Sequence, residues 1–326
     1  MKEQILITGG LGYIGSHICI ELIKNNYIPI IVDNFSNSNK NQINLLKKIT
    51  NKKIKFYNTN LSKFNFKNKS IKSVIHCGGY KSVNESENNP LKYYENNIIE
   101  TIYLLKNCIK NKVQNFIFSS SACVYGNPIY NPIDEKHIIN PNNTYGHTKK
   151  IIEDILIDLS KKKLINSVIL RYFNPIGSHY SGLIGDNPTN NITNIMPVLN
   201  QCLKKNLKFK IYGNNYKTKD GTAERDYIHV TDLAKSHLKA LKYSKNNNGF
   251  SIFNIGTGQK YSVLEILNTF QKYINIKINY EFNQKRIGDA ETTYANPKKA
   301  KNKLNFKTIK NLKDMCKDSI RYYNGL

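Results

Sequence analysis

The chain has 326 residues, enough for one large α/β domain and a smaller one. Its formal net charge of +26 rests almost entirely on scattered Lys. With no dense basic block among aromatics, that pattern argues against nucleic-acid binding. Six cysteines (Cys19, Cys77, Cys108, Cys123, Cys202 and Cys316) show no C-x-x-C or framework spacing. No apolar run approaches a membrane span, and the run at Ile5-Leu6-Ile7 is short for a signal segment. A reduced, cytoplasmic chain with no membrane partner is therefore expected.

Taken in order, residues 4–8 read as a short buried strand, followed by a glycine loop and a helix to about residue 25. Residues 28–32 form a second apolar strand, ending at Asp33-Asn34. Further strand-like runs lie at 53–57, 73–77, 115–119 and 168–171, with helical patterns at 90–110 and 145–163. Strands alternating with helices predict a Rossmann-type, doubly wound parallel sheet. Beyond Arg171 the pattern loosens into loops rich in Asn, Gly and Pro at 174–193 and 213–222. We expect a dinucleotide-binding domain over 1–175. A smaller mixed α/β substrate domain should cover 176–326, with some chain crossing back to the first.

Gly10-x-Gly12-x-x-Gly15 lies between strand and helix, and it also reads as Gly9-x-x-Gly12-x-x-Gly15. Glycine there lets backbone amides and a helix N-terminus approach a pyrophosphate. Asp33, at the end of the second strand, is placed to bind ribose hydroxyls. It would repel a 2′-phosphate, which favours NAD over NADP.

Tyr145 and Lys149 are four apart, hence on one helix face. An ammonium beside the phenol would lower its pKa and make a candidate general base. The spacing alone is weak. In a chain with 22 Tyr and 45 Lys, chance predicts about three such pairs, and three occur: Tyr145/Lys149, Tyr273/Lys277 and Tyr294/Lys298. Only the first follows a serine-rich strand end, Ser119-Ser120-Ser121. Arginine is more telling. The chain has four, Arg171, Arg225, Arg286 and Arg321. Lys replaces Arg poorly where a planar fork must grip an anion.

Several segments together resemble the extended short-chain dehydrogenase/reductase family, in its UDP-hexose 4-epimerase branch, over essentially the whole chain. They are residues 8–16 (TGGLGYIGS), 33–34, 93–97 (YYENN), 115–126 (NFIFSSSACVYG), 145–149, 170–177 (LRYFNPIG), 220–230 (DGTAERDYIHV) and 286–289 (RIGD). The resemblance implies permanently bound NAD and 4-epimerisation of UDP-glucose and UDP-galactose by transient oxidation at sugar C4. Tyr145 would be the base, Lys149 would bind the nicotinamide ribose and lower the phenol pKa, and Ser121 would hydrogen-bond the reacting oxygen.

It further implies cofactor contacts from Gly9, Gly12, Tyr13, Ile14, Gly15, Asp33, Asn34, Asn37, Asn60, Leu61, Lys81, Asn96, Tyr145, Lys149 and Tyr172. Substrate contacts would come from Ser121, Tyr145, Asn174, Asn194, Tyr212, Arg225, Tyr227, Arg286, Asp289 and Thr293. No metal is implied. The helices at 90–110 and 145–163 would pair in a homodimer. Arg171 is expected to be structural.

Three departures stand out. Asn60 replaces an acid facing adenine. Cys123 replaces a Thr two residues after Ser121, and a thiol is the weaker donor. Thr293 stands where the family carries Tyr in glucose-specific enzymes and a small residue in dual ones, so acceptance of UDP-GlcNAc and UDP-GalNAc is expected. The competing readings are a nucleotide-sugar 4,6-dehydratase, a reductase or uronate epimerase, and a nucleotide-sensing or RNA-binding module. Ala122-Cys123 lacks the acid pair that a dehydratase needs, and a binding module has no use for the base.

Overall fold

The computed structural model describes residues 2–66, 70–188, 192–286 and 288–325. In chain order the first strands are β1 (Gln4–Thr8), β2 (Ile28–Asp33), β3 (Lys55–Asn58), β4 (Ile71–His76), β5 (Asn115–Ser121) and β6 (Asn166–Tyr172). Between them run α1 (Tyr13–Lys24), α2 (Gln42–Thr50), α3 (Val83–Asn88), α4 (Pro90–Tyr93), α5 (Glu100–Lys110) and α6 (Thr144–Lys161). The second half brings β7 (Asn174–Ile176), α7 (Ile195–Lys205), β8 (Phe209–Tyr212), β9 (Glu224–Arg225), β10 (Tyr227–His229), α8 (Val230–Ser244) and β11 (Phe250–Ile255). It closes with β12 (Tyr261–Ser262), α9 (Val263–Ile274), β13 (Tyr280–Asn283), β14 (Thr292–Thr293), α10 (Lys298–Leu304) and α11 (Leu312–Asn324).

Seven of these strands form one sheet in the order β11-β6-β5-β4-β1-β2-β3, and every neighbouring pair is parallel. Side chains alternate across a strand, so successive residues feed opposite layers. Ile5 and Ile7 pack with Ile18 and Leu22 of α1 and with Leu233 and Leu238 of α8. Leu6 packs on the other face with Leu104 and Leu105 of α5 and Ile152 and Leu156 of α6. Both faces being covered explains why these strands read as continuous apolar runs. The chain returns to this sheet after residue 176, through α8 and β11.

A third core joins α7, β8, α9 and α11 through Leu199, Phe209, Phe270 and Met315. Three small sheets complete the second half: β10-β7, β12-β9-β14 and β13-β8. They lie where the sequence pattern loosens, because two- to four-residue strands are too short to show a period.

Two elements differ from the expected pattern. The strand expected at 115–119 continues to Ser121. The helical run at 90–110 contains a π turn at Tyr94–Ile99. That turn leaves the Asn97 amide to accept from Tyr80 N (2.8 Å) and to donate to Tyr80 O (3.0 Å) and Thr148 Oγ1 (3.2 Å). It thereby pins the loop after β4. No helix among the described residues is long and apolar enough to cross a membrane.

Candidate active site

The C-terminal ends of β1, β2, β4, β5 and β6 open onto one cleft, where a doubly wound sheet presents its ligand site. At its base, Gly9 takes φ +64° and Gly12 caps α1. A Cβ on Gly15 would lie 2.2 Å from Gly9 O, and one on Gly9 would lie 2.8 Å from Gly78 Cα. The loop is therefore packed to a density only glycine permits, with the first amides of α1 facing outward. Asp33 accepts from Leu11 N (3.0 Å), Phe35 N (3.0 Å) and Ser38 Oγ (2.7 Å), which locks the turn after β2 to the glycine loop.

All fifteen positions expected to contact a cofactor line this cleft. Asn34 Nδ2 donates to Asn60 Oδ1 (2.8 Å), so the two amides form one wall. The Tyr13 hydroxyl donates to Gly177 O (2.7 Å), tying α1 to the second half of the chain. Val32, Ser36, Ser38, Thr59, Cys77, Gly78, Gly79, Tyr80 and Glu100 also line it and carried no motif. A narrow trough with a backbone-amide floor, a glycine cradle and a carboxylate at the second strand end fits a dinucleotide.

At the far end of the cleft, β5 delivers Ser121 and α6 delivers Tyr145 and Lys149. The Ser121 hydroxyl accepts from Cys123 N (3.2 Å) and caps the short turn Ala122–Tyr125. Asn143 caps α6 by accepting from Gly146 N (2.8 Å). Lys149 Nζ donates to Ser119 O (2.9 Å) and sits 5.6 Å from the Tyr145 ring centre and 4.9 Å from that of Phe118. Burial lowers the Lys149 ammonium to about 8, against opposing contributions from Cys77 and Glu153. Burial likewise pushes the Tyr145 phenol above its ordinary value, Cys123 adds to this, and the Ser121 hydroxyl works against it.

The lowered phenol pKa expected from Lys149 is thus not produced by the chain's own groups. The desolvation of a buried phenol outweighs an ammonium whose lone short contact is a backbone carbonyl.

Beneath this end, Glu153 and Arg171 form a buried pair. Arg171 donates through Nη2 (2.6 Å) and Nε (3.1 Å), and through Nη1 to the Tyr125 hydroxyl (3.1 Å). Ser120 also donates to Glu153. The Ser119 hydroxyl meets His237 Nε2 (2.8 Å) and Cys77 Sγ (3.1 Å). Arg171, Ser119 and Ser120 are therefore braces for the strand end.

A second cluster gathers residues from the C-terminal half. In β9, Arg225 is in register with Thr293 of β14, and Tyr227 of β10 with Asn174 of β7. Arg225 pairs with Asp289, and the Arg286 guanidinium lies 4.0 Å from the Tyr212 ring centre. Asn174 Nδ2 donates to Asp226 O (3.3 Å). Asn194 stands apart and donates to Asp186 Oδ2 (2.5 Å), while Asp186 Oδ1 lies 3.5 Å from Lys81 Nζ. Arg321 pairs with Asp318 (2.9 Å) and takes no part in either cluster.

The sequence reading missed three acids and a tyrosine here: Asp186, Glu153, Asp226 and Tyr216. Asp226 braces the Arg225–Tyr227 segment by accepting from Thr257 N (2.9 Å), Thr257 Oγ1 (2.7 Å), Gly258 N (3.0 Å) and Ala295 N (3.1 Å). Its position directly after a rare arginine was the available signal.

Residues 5–256 match the model of the NAD dependent epimerase/dehydratase family. The chain belongs to this family. It is 44% identical to the UDP-glucose 4-epimerase of Bacillus subtilis, covering 98% of this chain and 97% of that protein. The crystal structure of a Stenotrophomonas maltophila UDP-glucose 4-epimerase with bound NAD and formylated UDP-arabinopyranose superposes with TM-score 0.96. It is 35% identical, covering 99% of this chain and 98% of that one. The Bifidobacterium longum UDP-glucose 4-epimerase in complex with NAD+ and UDP gives TM-score 0.94 at 38% identity, again covering 99% and 98%. Membership of the family accounts for the parallel sheet and for a glycine loop and a Tyr-x-x-x-Lys helix facing one cleft. Among the described residues no group of three or more His, Cys, Asp or Glu could hold a metal ion.

Proposed function

We propose that the protein is an NAD-dependent UDP-glucose 4-epimerase that interconverts UDP-glucose and UDP-galactose. The observation that carries this is the meeting of Ser121, Tyr145 and Lys149 at one end of a cleft whose other end is the glycine cradle and Asp33. Near-full-length similarity to UDP-glucose 4-epimerases supports it. Residues 1–175 would hold NAD through the fifteen cleft positions, and 176–326 would hold the UDP-sugar. When bound, NAD supplies reversible hydride acceptance at sugar C4 and positive charge that draws the Tyr145 phenol pKa down.

The chain's residues then divide the work. Tyr145 takes the proton of the sugar 4-hydroxyl, and Ser121 orients that oxygen by a hydrogen bond. Lys149 stays charged at neutral pH, below its value of about 8, and is aimed by the Ser119 carbonyl. Arg225 and Arg286 grip the diphosphate as planar forks while the oxidised sugar presents its other face. Incubating the protein with UDP-galactose, without added NAD, should yield UDP-glucose. No conversion by protein shown to contain NAD overturns the reading.

Three finer points follow. Thr293, small and on β14 beside Arg225, should admit the N-acetyl group, so UDP-GlcNAc and UDP-GalNAc should also turn over. Zero turnover of that pair overturns this. Leu91, Ile99, Tyr103 and Ile151 lie exposed on α4 through α6, and two copies would cover them as a homodimer. Light scattering giving a single-chain mass would refute that. Six free cysteines suit a reducing cytoplasm.

A further inference from the structure

Tyr216 lies in the loop between β8 and β9 and is 5% exposed. Its ring is held from several sides. Tyr216 N donates to Gly221 O (3.0 Å), and Lys285 Nζ lies 4.1 Å above the ring centre. Gly213, at φ +86°, approaches so closely that a Cβ there would fall 2.4 Å from a ring carbon. Yet its hydroxyl is buried with no hydrogen-bond partner among the described residues.

The other buried tyrosines nearby satisfy theirs. Tyr13 donates to Gly177 O, Tyr125 to Asn254 Oδ1, and Tyr323 to Asp186 O. A rigid, unpaired buried hydroxyl is costly, and Phe would avoid the cost at the same volume. The groups whose charges this phenol feels are Asp289, Arg225, Arg286 and Glu291. Asp289 is already engaged by Arg225. Burial and Asp289 hold the phenol protonated, so at neutral pH it is a donor in search of an acceptor.

We propose that the Tyr216 hydroxyl is a further substrate-binding group that donates to a diphosphate oxygen of the nucleotide between Arg225 and Arg286. This rests on the UDP-sugar reading of the site and adds a ligand contact to it. An anionic oxygen between two guanidinium groups is the acceptor that a neutral donor at this place would complete.

The experiment compares the parent protein with Tyr216→Phe, by calorimetric titration with UDP and with uridine, and by thermal unfolding without nucleotide. The two readouts should move in opposite directions. The variant should melt at the same temperature or higher, because it loses an unsatisfied group. Its Kd for UDP should rise about tenfold. Uridine, which has no phosphate, should bind both proteins equally. An unchanged Kd for UDP overturns the proposal, as does an equal loss for uridine. Failure of the parent protein to bind UDP overturns the UDP-sugar reading as well, which separates the two failures.

Discussion

At the glycine-loop end of the cleft, the contacts are made by backbone, and the geometry is locked by packing. Gly15 is pressed on Gly9, and Asp33 is held by three donors. At the arginine end, the contacts are long side chains carried on two-residue strands and loops. There Arg286 is exposed and lies on a tyrosine ring, and Arg225 is paired with Asp289. The first end is a mould formed by folding, so its recognition is shape. The second must exchange one charge partner for another on binding, so its recognition is competition between anions. Substitutions should therefore act on stability and retention at one end and on KM at the other.

The largest expected effect is at the junction of the two ends. Tyr145→Phe should cut kcat by about 10²- to 10⁴-fold, the range for a lost general acid–base group, with bound NAD unchanged. Absorbance of the released cofactor and steady-state turnover check both halves. Substantial residual turnover would remove the phenol from the mechanism.

Next comes the buried pair under the strand end. Glu153→Ala leaves Arg171 without its carboxylate and should cost about 3–5 kcal/mol in urea unfolding. A loss below about 1 kcal/mol, as for exposed pairs, would mean the site's floor is not braced there.

Acid should weaken the same half. Burial lowers His17 and His76 to about 3 and His179 and His237 to about 4, below the ordinary 6.5. The unfolded chain then binds more protons than the folded one. Stability is full above pH 6.5 and falls as pH drops from there toward 4. Each histidine contributes up to about 1.4 kcal/mol per pH unit in that window. Unfolding free energies that stay flat between pH 7 and 5 would contradict this.

The smallest effect belongs to the arginine end. Arg286→Lys should raise KM for UDP-galactose about tenfold, because the fork is lost, with kcat and melting temperature nearly unchanged. A drop in stability instead would make Arg286 a packing residue over Tyr212.

What could be read from the chain divides along the same line. The glycine loop, Asp33, Ser121, Tyr145 and Lys149 were legible because each is a short motif on a regular element, with the period to place it. Arg225 and Arg286 stood out because arginine is rare in a chain so rich in lysine. Asp186 was not legible, since its meaning lies in Lys81, 105 positions earlier, and in Asn194. Asp226 draws its donors from residues 257, 258 and 295, all distant in sequence. The π turn that pins the loop after β4 reads as ordinary helix, because one extra residue per turn barely disturbs an apolar period. The direction of the phenol shift was also beyond the sequence, which gives a neighbour's charge but not the depth of burial.

The return of β11 to the edge of the large sheet has a mechanical meaning. β11 covers β6 along its whole length, from Phe250 opposite Ser167 to Ile255 opposite Tyr172. A fragment ending near residue 176 would leave β6 as a bare, apolar sheet margin, inviting strand addition and aggregation. The two halves thus cannot be swapped like cassettes. Whatever sugar-binding loops are grafted onto this scaffold must arrive with a strand that finishes the nucleotide half.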